Sequence, residues 1–202
     1  MTDRQRQRHQ RRLRERARQE VQPTRGQTRR WIAFHEAGHV VAAYRDGIGV
    51  NGVTLRAHDQ FIAHVDFDRQ PDLHVEPGMS VEDIGREAIR AHNLMVVSLA
   101  GVHAGYRAAG RPLPPLDERL QRRETTALDD WPDHDKGLRV AQAFGTSLGA
   151  AEGDAAELIA TAVGWAAITA VAEALLARGA LTRADIDTIL APLAAELAHV
   201  GA

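Results

Sequence analysis

The sequence predicts a mainly α-helical domain that carries one small β-hairpin. Three observations lead there. Alanine is abundant while aromatic residues make up only 4 % of the 202 residues, which suits closely packed helices better than a β-sandwich. Apolar residues recur at helical spacing over most of the chain. Strand-like alternation is confined to residues 50–68, which hold Val, Ile, Thr and Phe. A hydrophobic content of 44 % is enough for a real core, and the length suits a single domain.

Each element has its own signals. Thr28 is read as the N-cap of a first helix that stops near Asp46-Gly47, with Gly47 in the C′ position. Residues 50–57 and 61–68 form the hairpin, and Pro71 and Pro77 mark the loop after it. Ser80 with Asp83 suggests a capping box for a long helix whose apolar positions are Ile84, Ala88, Ala91, Met95, Leu99, Val102 and Tyr106. Gly110 and Pro112-Leu113-Pro114-Pro115 end it. Residues 116–130 are charged and read as a surface excursion. Pro132 suits the first turn of a helix reaching Phe144, followed by a flexible link from Gly145 to Gly153. Two helices close the sequence, one from Asp154 to Arg178 and one from Thr182, which Pro192 kinks or splits. The uncharged stretch Leu158–Ala172 falls short of the roughly 18–20 residues that span a bilayer, so a buried core helix is expected there.

The net charge of −2 conceals an asymmetry. Residues 1–30 hold 11 Arg against three acids, a balance of +8, so the remainder carries −10. Residues 1–27 are therefore read as a basic arm, disordered or loosely helical, with residues 28–202 forming the domain. Such an arm is either a solvated tail or a contact for nucleic acid or an anionic surface. No apolar signal segment precedes the domain, and a cytoplasmic location is expected. The absence of cysteine excludes disulfides, thiolate metal sites and cysteine nucleophiles, so any metal must be held by His and carboxylates.

The chemistry is concentrated in His35-Glu36-Ala37-Gly38-His39. On a helix, residues four apart share a face, so both imidazoles can reach one ion. Glu36 lies about 100° round the helix from His35, placed to take a proton from water without acting as a ligand. A glycine costs about 1 kcal/mol inside a helix, so Gly38 points to the close approach of another backbone or of substrate.

Ala33 to Ala42 resembles the zinc helix of the M41, or FtsH-type, zinc peptidases. Further segments follow in the family's order. Gly52-Val53-Thr54-Leu55-Arg56 resembles the strand after the zinc helix, and Val97-Ser98-Leu99-Ala100-Gly101 the helix ending in Leu-Ala-Gly. Asp133 to Ala141 resembles the Asn-Asp-Leu-x-x-Ala-Thr-x-Ile-Ala run, and Ala174-Leu175-Leu176, Gly179 and Leu181-Thr182 the closing helix pair. The resemblance covers residues 30–192. It implies a helical zinc-peptidase domain in which His35, His39 and Asp133 ligate Zn²⁺ and Glu36 is the catalytic base. It also implies that peptide lies along a sheet edge, for which Ile62, Ala63, His64 and Val65 are the candidates. After Gly101 the family shows Arg-Ala-Ala-Glu-Glu where this chain has Val102-His103-Ala104-Gly105-Tyr106. No G-x-x-x-x-G-K-[ST] loop occurs, and the only lysine is Lys136, so the likeness is to the peptidase module without its ATPase and membrane anchor. The expected substrates are flexible or unfolded polypeptides, with a separate ATPase as partner for folded ones and a homo-oligomer as a further option.

Asp129, Asp130 and Asp135 are alternative carboxylates for the third ligand. His103 and His134 are the remaining histidines expected nearest the site, with surface or structural roles favoured for both. Two other functions share these residues. One is an ImmA/IrrE-like regulatory metallopeptidase, for which a third ligand other than Asp133 would speak. The other is a non-catalytic, zinc-stabilised adaptor whose basic arm binds nucleic acid or a partner.

Overall fold

A computed structural model describes residues 25–55, 63–68, 76, 78–121, 142, 144 and 146–200. The elements are α1 (Arg25–Arg45), β1 (Val50–Thr54), β2 (His64–Phe67), α2 (Val81–Ala108), α3 (Leu116–Gln121), α4 (Leu148–Ala160), α5 (Ala162–Arg178), β3 (Ala180–Thr182) and α6 (Arg183–Leu190). A 3₁₀ turn, Ala191–Leu193, and the short α7, Ala194–Leu197, follow. The fold is mainly α with a small antiparallel sheet, as the composition predicted.

Helix α1 is the centre of the molecule. Every residue from Ile32 to Ala43 is buried, the pattern of a helix enclosed on all sides rather than lying on a surface. It packs against α2 and α5, and α2 packs in turn on α4. Phe34, Val40 and Val41 of α1 meet Met95 and Leu99 of α2 and Ile168 and Leu175 of α5 in one buried cluster. Each such large apolar side chain contributes about 1.5–3 kcal/mol on burial. The Phe34 ring stacks on Trp165 of α5 at 5.4 Å, and the guanidinium of Arg107 covers Trp165 at 4.2 Å.

The ends of α1 bear out one expectation and correct another. Gly47 adopts φ +68 in the C′ position. Ile48 N–H donates to Ala43 O at 2.8 Å and Gly47 N–H to Tyr44 O at 3.3 Å, the paired bonds of a Schellman ending. Thr28 is not the N-cap, because the helix already includes Arg25. Arginine and glutamine are good helix formers, so the start is not tied to the first capping side chain in the sequence.

The hairpin forms, with shorter strands than the alternation suggested. β1 pairs antiparallel with β2, and a bulge at Asn51 separates Val50↔Phe67 from Gly52↔Asp66. The sheet has a third strand that the sequence did not announce, giving the order β2-β1-β3. Val65, Val53 and Leu181 form a buried cross-strand row facing the core. Three residues are too few for a periodicity signal. What makes β3 a strand is its pairing with β1.

Ser80 caps α2 as expected, accepting from Asp83 N–H at 3.1 Å and donating to the Asp83 carboxylate at 2.8 Å. That hydroxyl, with Arg86 beside it, holds the Asp83 carboxyl below the usual carboxylate range. Ala91, Met95, Leu99 and Val102 are buried as predicted, but Ile84 is 43 % exposed. The first turns of α2 project beyond the core, where helical periodicity continues with little cover among the described residues.

Two boundaries near the C-terminal half are corrected. Residues 148–153 are helical rather than a flexible link, because Ser147 caps Ala150 N–H at 3.3 Å and Ala151 and Ala155 bury a face against α2. The expected single helix over 154–178 is two helices, bent by 78° at Thr161. Thr161 is extended and its hydroxyl oxygen accepts from Gly164 N–H at 3.1 Å, starting α5 anew. Among the described residues no single helix is long and apolar enough to cross a membrane; the bent pair α4–α5 meets that test jointly by length and composition. Pro192 splits the last helix as predicted, falling in the 3₁₀ turn between α6 and α7. Thr182 and Asp185 form a reciprocal capping box at α6, and the Thr182 backbone N–H, with its hydroxyl, lowers the Asp185 carboxyl pKa.

Candidate metal centre

His35, Glu36 and His39 are the polar residues of the otherwise apolar middle of α1, each 8–9 % exposed. Polar side chains are costly to bury unless something satisfies them, so three in two turns mark a site. The two imidazoles meet edge to face, with ring centroids 4.5 Å apart and planes at 87°. Their Nε2 atoms lie 2.9 Å apart.

The backbone of α2 sets this geometry. His39 Nδ1 lies 2.7 Å from the carbonyl oxygen of Val97, an acceptor only, so Nδ1 carries the proton and donates. In the neutral ring this leaves the lone pair on Nε2, the nitrogen facing His35. Two glycines let the helices come that close. A Cβ on Gly38 would fall 2.6 Å from Ala100 O, so the backbone of α2 supplies the close approach that Gly38 called for. A Cβ on Gly101 would fall 2.5 Å from the His39 ring and 2.9 Å from His35 O. The Leu-Ala-Gly resemblance thus has a structural role at Gly101, although α2 runs on to Ala108 rather than ending there.

The pair fits a metal. Zinc–nitrogen bonds of about 2.0–2.1 Å put two imidazole nitrogens roughly 3.3 Å apart at a tetrahedral angle. The observed separation of 2.9 Å is a few tenths of an ångström from that. The donors brought together are two imidazole nitrogens, with the Glu36 carboxylate next to His35 in sequence and no cysteine in the chain, a nitrogen pair of the kind that zinc accepts. Among the described residues no group of three ligating side chains forms. Asp133, the expected third ligand, and its alternatives Asp129, Asp130 and Asp135 lie outside the described residues, as does His134.

The expected peptide-binding edge is described in part. Ile62 lies outside the described residues. Ala63 precedes β2, and His64 and Val65 belong to it, one of the two outer strands of the sheet. His64 is exposed and Val65 is buried. His103 faces α4, where its Nε2 lies 2.9 Å from Glu152 Oε1, and His92 likewise meets Asp154 at 2.7 Å. Both histidines join α2 to α4, the structural role favoured for His103. A shallow depression of about 310 Å³ beside them, lined by Tyr106, Arg107, Arg111 and Ile159 among others, includes none of the predicted site residues.

One participant was not singled out as a site residue from the sequence: the Val97 carbonyl, which lies 2.7 Å from His39 Nδ1. A backbone acceptor leaves no sequence signal. Gly101, on the helix that faces the His-x-x-x-His pair, was the available clue. No protein-family model and no curated protein matches the chain.

Proposed function

We propose that the protein is a zinc-dependent metallopeptidase of the FtsH type, with His35 and His39 as ligands, Asp133 as the third and Glu36 as general base. One observation carries the proposal: the Val97 carbonyl fixes the His39 tautomer so that its Nε2 lone pair faces the Nε2 of His35 at 2.9 Å. Two buried ring nitrogens that close are joined by a shared proton or by a shared cation. The adjoining buried glutamate, the His-x-x-x-His spacing and the order of the surrounding segments favour the cation.

Zinc bound there would supply Lewis acidity, acidifying water and polarising a scissile carbonyl. Glu36 takes the proton of the attacking water and delivers it to the leaving amine. The closely packed α1–α2 pair holds both imidazoles, so the site needs little reorganisation before reaction. An extended peptide adds to the sheet through main-chain bonds at Ala63, His64 and Val65, which gives affinity with little sequence selectivity. The substrates are flexible polypeptide segments in the cytoplasm, with a separate ATPase needed for folded ones.

The test is metal content and cleavage of casein by the purified full chain, before and after removal of metal with a chelator. About one zinc per chain, with hydrolysis lost on chelation and restored by Zn²⁺, is the expected result. A chain that binds no zinc, or that cleaves equally well without it, overturns the proposal.

A further inference from the structure

Trp31, His35 and His39 follow one another at four-residue intervals along one face of α1, and α2 runs antiparallel beside them. Gly105 meets Trp31, Gly101 meets His39 and the His35 backbone, and the Val97 carbonyl meets His39 Nδ1. The indole of Trp31 stacks on the His35 imidazole, with centroids 4.9 Å apart and 26° between the planes. It also fills a notch at Gly105, where a Cβ would fall 2.7 Å from indole Cε2 and 2.9 Å from Nε1. The indole is therefore wedged between one helix's backbone and the ring of a candidate ligand.

We infer that Trp31 is a positioning residue for the metal centre, holding the His35 imidazole in the orientation that brings its Nε2 beside that of His39. This rests on the metal-centre reading given above. An imidazole in a ligand pair must be fixed both in the direction of its nitrogen and in the tilt of its plane. His39 receives that restraint from a hydrogen bond to a main-chain carbonyl. For His35 the stacked indole restrains the tilt, because turning the imidazole about its own bond would lift it off the aromatic face. Gly105 is the complement: with any side chain there, the indole cannot occupy its notch and cannot reach His35.

The experiment compares Trp31→Ala, Trp31→Phe and Gly105→Ala with wild type in the full chain. Zn²⁺ affinity is measured by competition with a chromophoric chelator, and site geometry by the visible d–d spectrum of Co²⁺ bound in place of zinc. Thermal melting of the metal-free proteins reports on the fold. Trp31→Ala and Gly105→Ala should each weaken Zn²⁺ binding at least ~10-fold, the size of effect that support around a ligand shell commonly has. Both should also alter the Co²⁺ spectrum. Trp31→Phe, which keeps a stacked ring, should recover most of the affinity and the wild-type spectrum, and it decides the matter if Trp31→Ala does not fold. Wild-type affinity and spectrum in a folded Trp31→Ala would overturn the inference while leaving the metal centre intact, as would a folded Trp31→Phe in which neither affinity nor spectrum recovers. A wild-type protein that binds neither Zn²⁺ nor Co²⁺ removes the metal-centre reading and this inference together.

Discussion

Gly101 lies so close to His39 that a methyl group at its α-carbon would fall 2.5 Å from both Cε1 and Nε2 of the imidazole. The nitrogen proposed to bind metal thus sits in space that every other residue type at position 101 would fill. His39 cannot simply swing away, because its other ring nitrogen is bonded to Val97 O one turn earlier on the same helix.

Gly101→Ala should therefore lower Zn²⁺ affinity by at least ~10-fold, since it displaces a ligand directly. Gly38→Ala is the informative contrast. Its new methyl group would meet the Ala100 carbonyl 2.6 Å away, backbone that cannot rotate aside, so the helices must part. A loss of about 1–3 kcal/mol in unfolding free energy is expected from such overpacking. Denaturant titration alongside metal competition separates the two; a Gly101→Ala protein of wild-type metal affinity would remove the close packing from the account of the site.

Glu36→Gln should keep zinc and lose hydrolysis. The amide preserves the shape of the carboxylate but takes no proton at neutral pH, and general-base catalysis contributes about 10²–10⁴-fold. The measurement is kcat on a fluorogenic peptide at full metal occupancy. Equal turnover in variant and wild type would exclude Glu36 from the proton transfer, while loss of zinc would make it part of the ligand support.

Asp133→Ala should weaken Zn²⁺ binding at least ~10-fold, with Asp135→Ala having little effect. The preference for Asp133 comes from the resemblance to the M41 peptidases, whose spacing its distance to Val140-Ala141 repeats, and from Pro132 before it. If Asp135→Ala, Asp129→Ala or Asp130→Ala proves the damaging substitution, the third ligand moves to that carboxylate.

Asp185→Asn should destabilise the protein at neutral pH and make little difference in acid. The Thr182 backbone N–H and hydroxyl, with Arg178 at 2.7 Å, favour the ionised carboxylate, so its folded pKa lies below its unfolded one. Stability from such a group is fully present above the unfolded pKa and is lost as pH falls through the folded one. Melting temperatures of variant and wild type should thus differ at pH 7 and converge well below about pH 4, where an unfolded aspartate itself gains a proton. A difference that stays constant through that range would mean that the capping bonds act without the charge.

Much of the architecture was written in local chemistry. Gly47, Ser80 and Pro192 end, begin and split helices through the freedom of glycine, the serine hydroxyl and the proline ring, and His35, Glu36 and His39 stand out as a candidate site by spacing alone. What sequence did not disclose depends on contacts between distant residues. β3 is three residues long and exists because β1 lies beside it. The break at Thr161 interrupts a run of good helix formers, and a threonine inside such a run carries no distinctive mark until its hydroxyl is seen bonded to Gly164 N–H. The exposed start of α2 shows the converse, an apolar position at Ile84 that promised burial and that the described residues leave 43 % exposed. At the site, the residue types were legible and their restraints were not, since a main-chain carbonyl and a missing methyl group have no letter of their own.

The third strand also bears on the order in which the molecule can assemble. β1 follows directly on the histidine helix, yet its second neighbour, residues 180–182, is made some 130 residues later, and α5, which also packs on that helix, is completed only at Arg178. Contacts of such long sequence separation cannot form until the chain supplying them has left the ribosome, and they pay a loop-closure cost before they stabilise anything. During synthesis at about 5–20 residues per second, the helix with His35 and His39 therefore waits several seconds without its final partners. A nascent chain halted before Gly179 would hold the whole His-Glu-x-x-His sequence together with α2 and α5, and still lack the third strand. Translation past that point acts as a built-in delay on when the sheet beside the histidine helix can be completed.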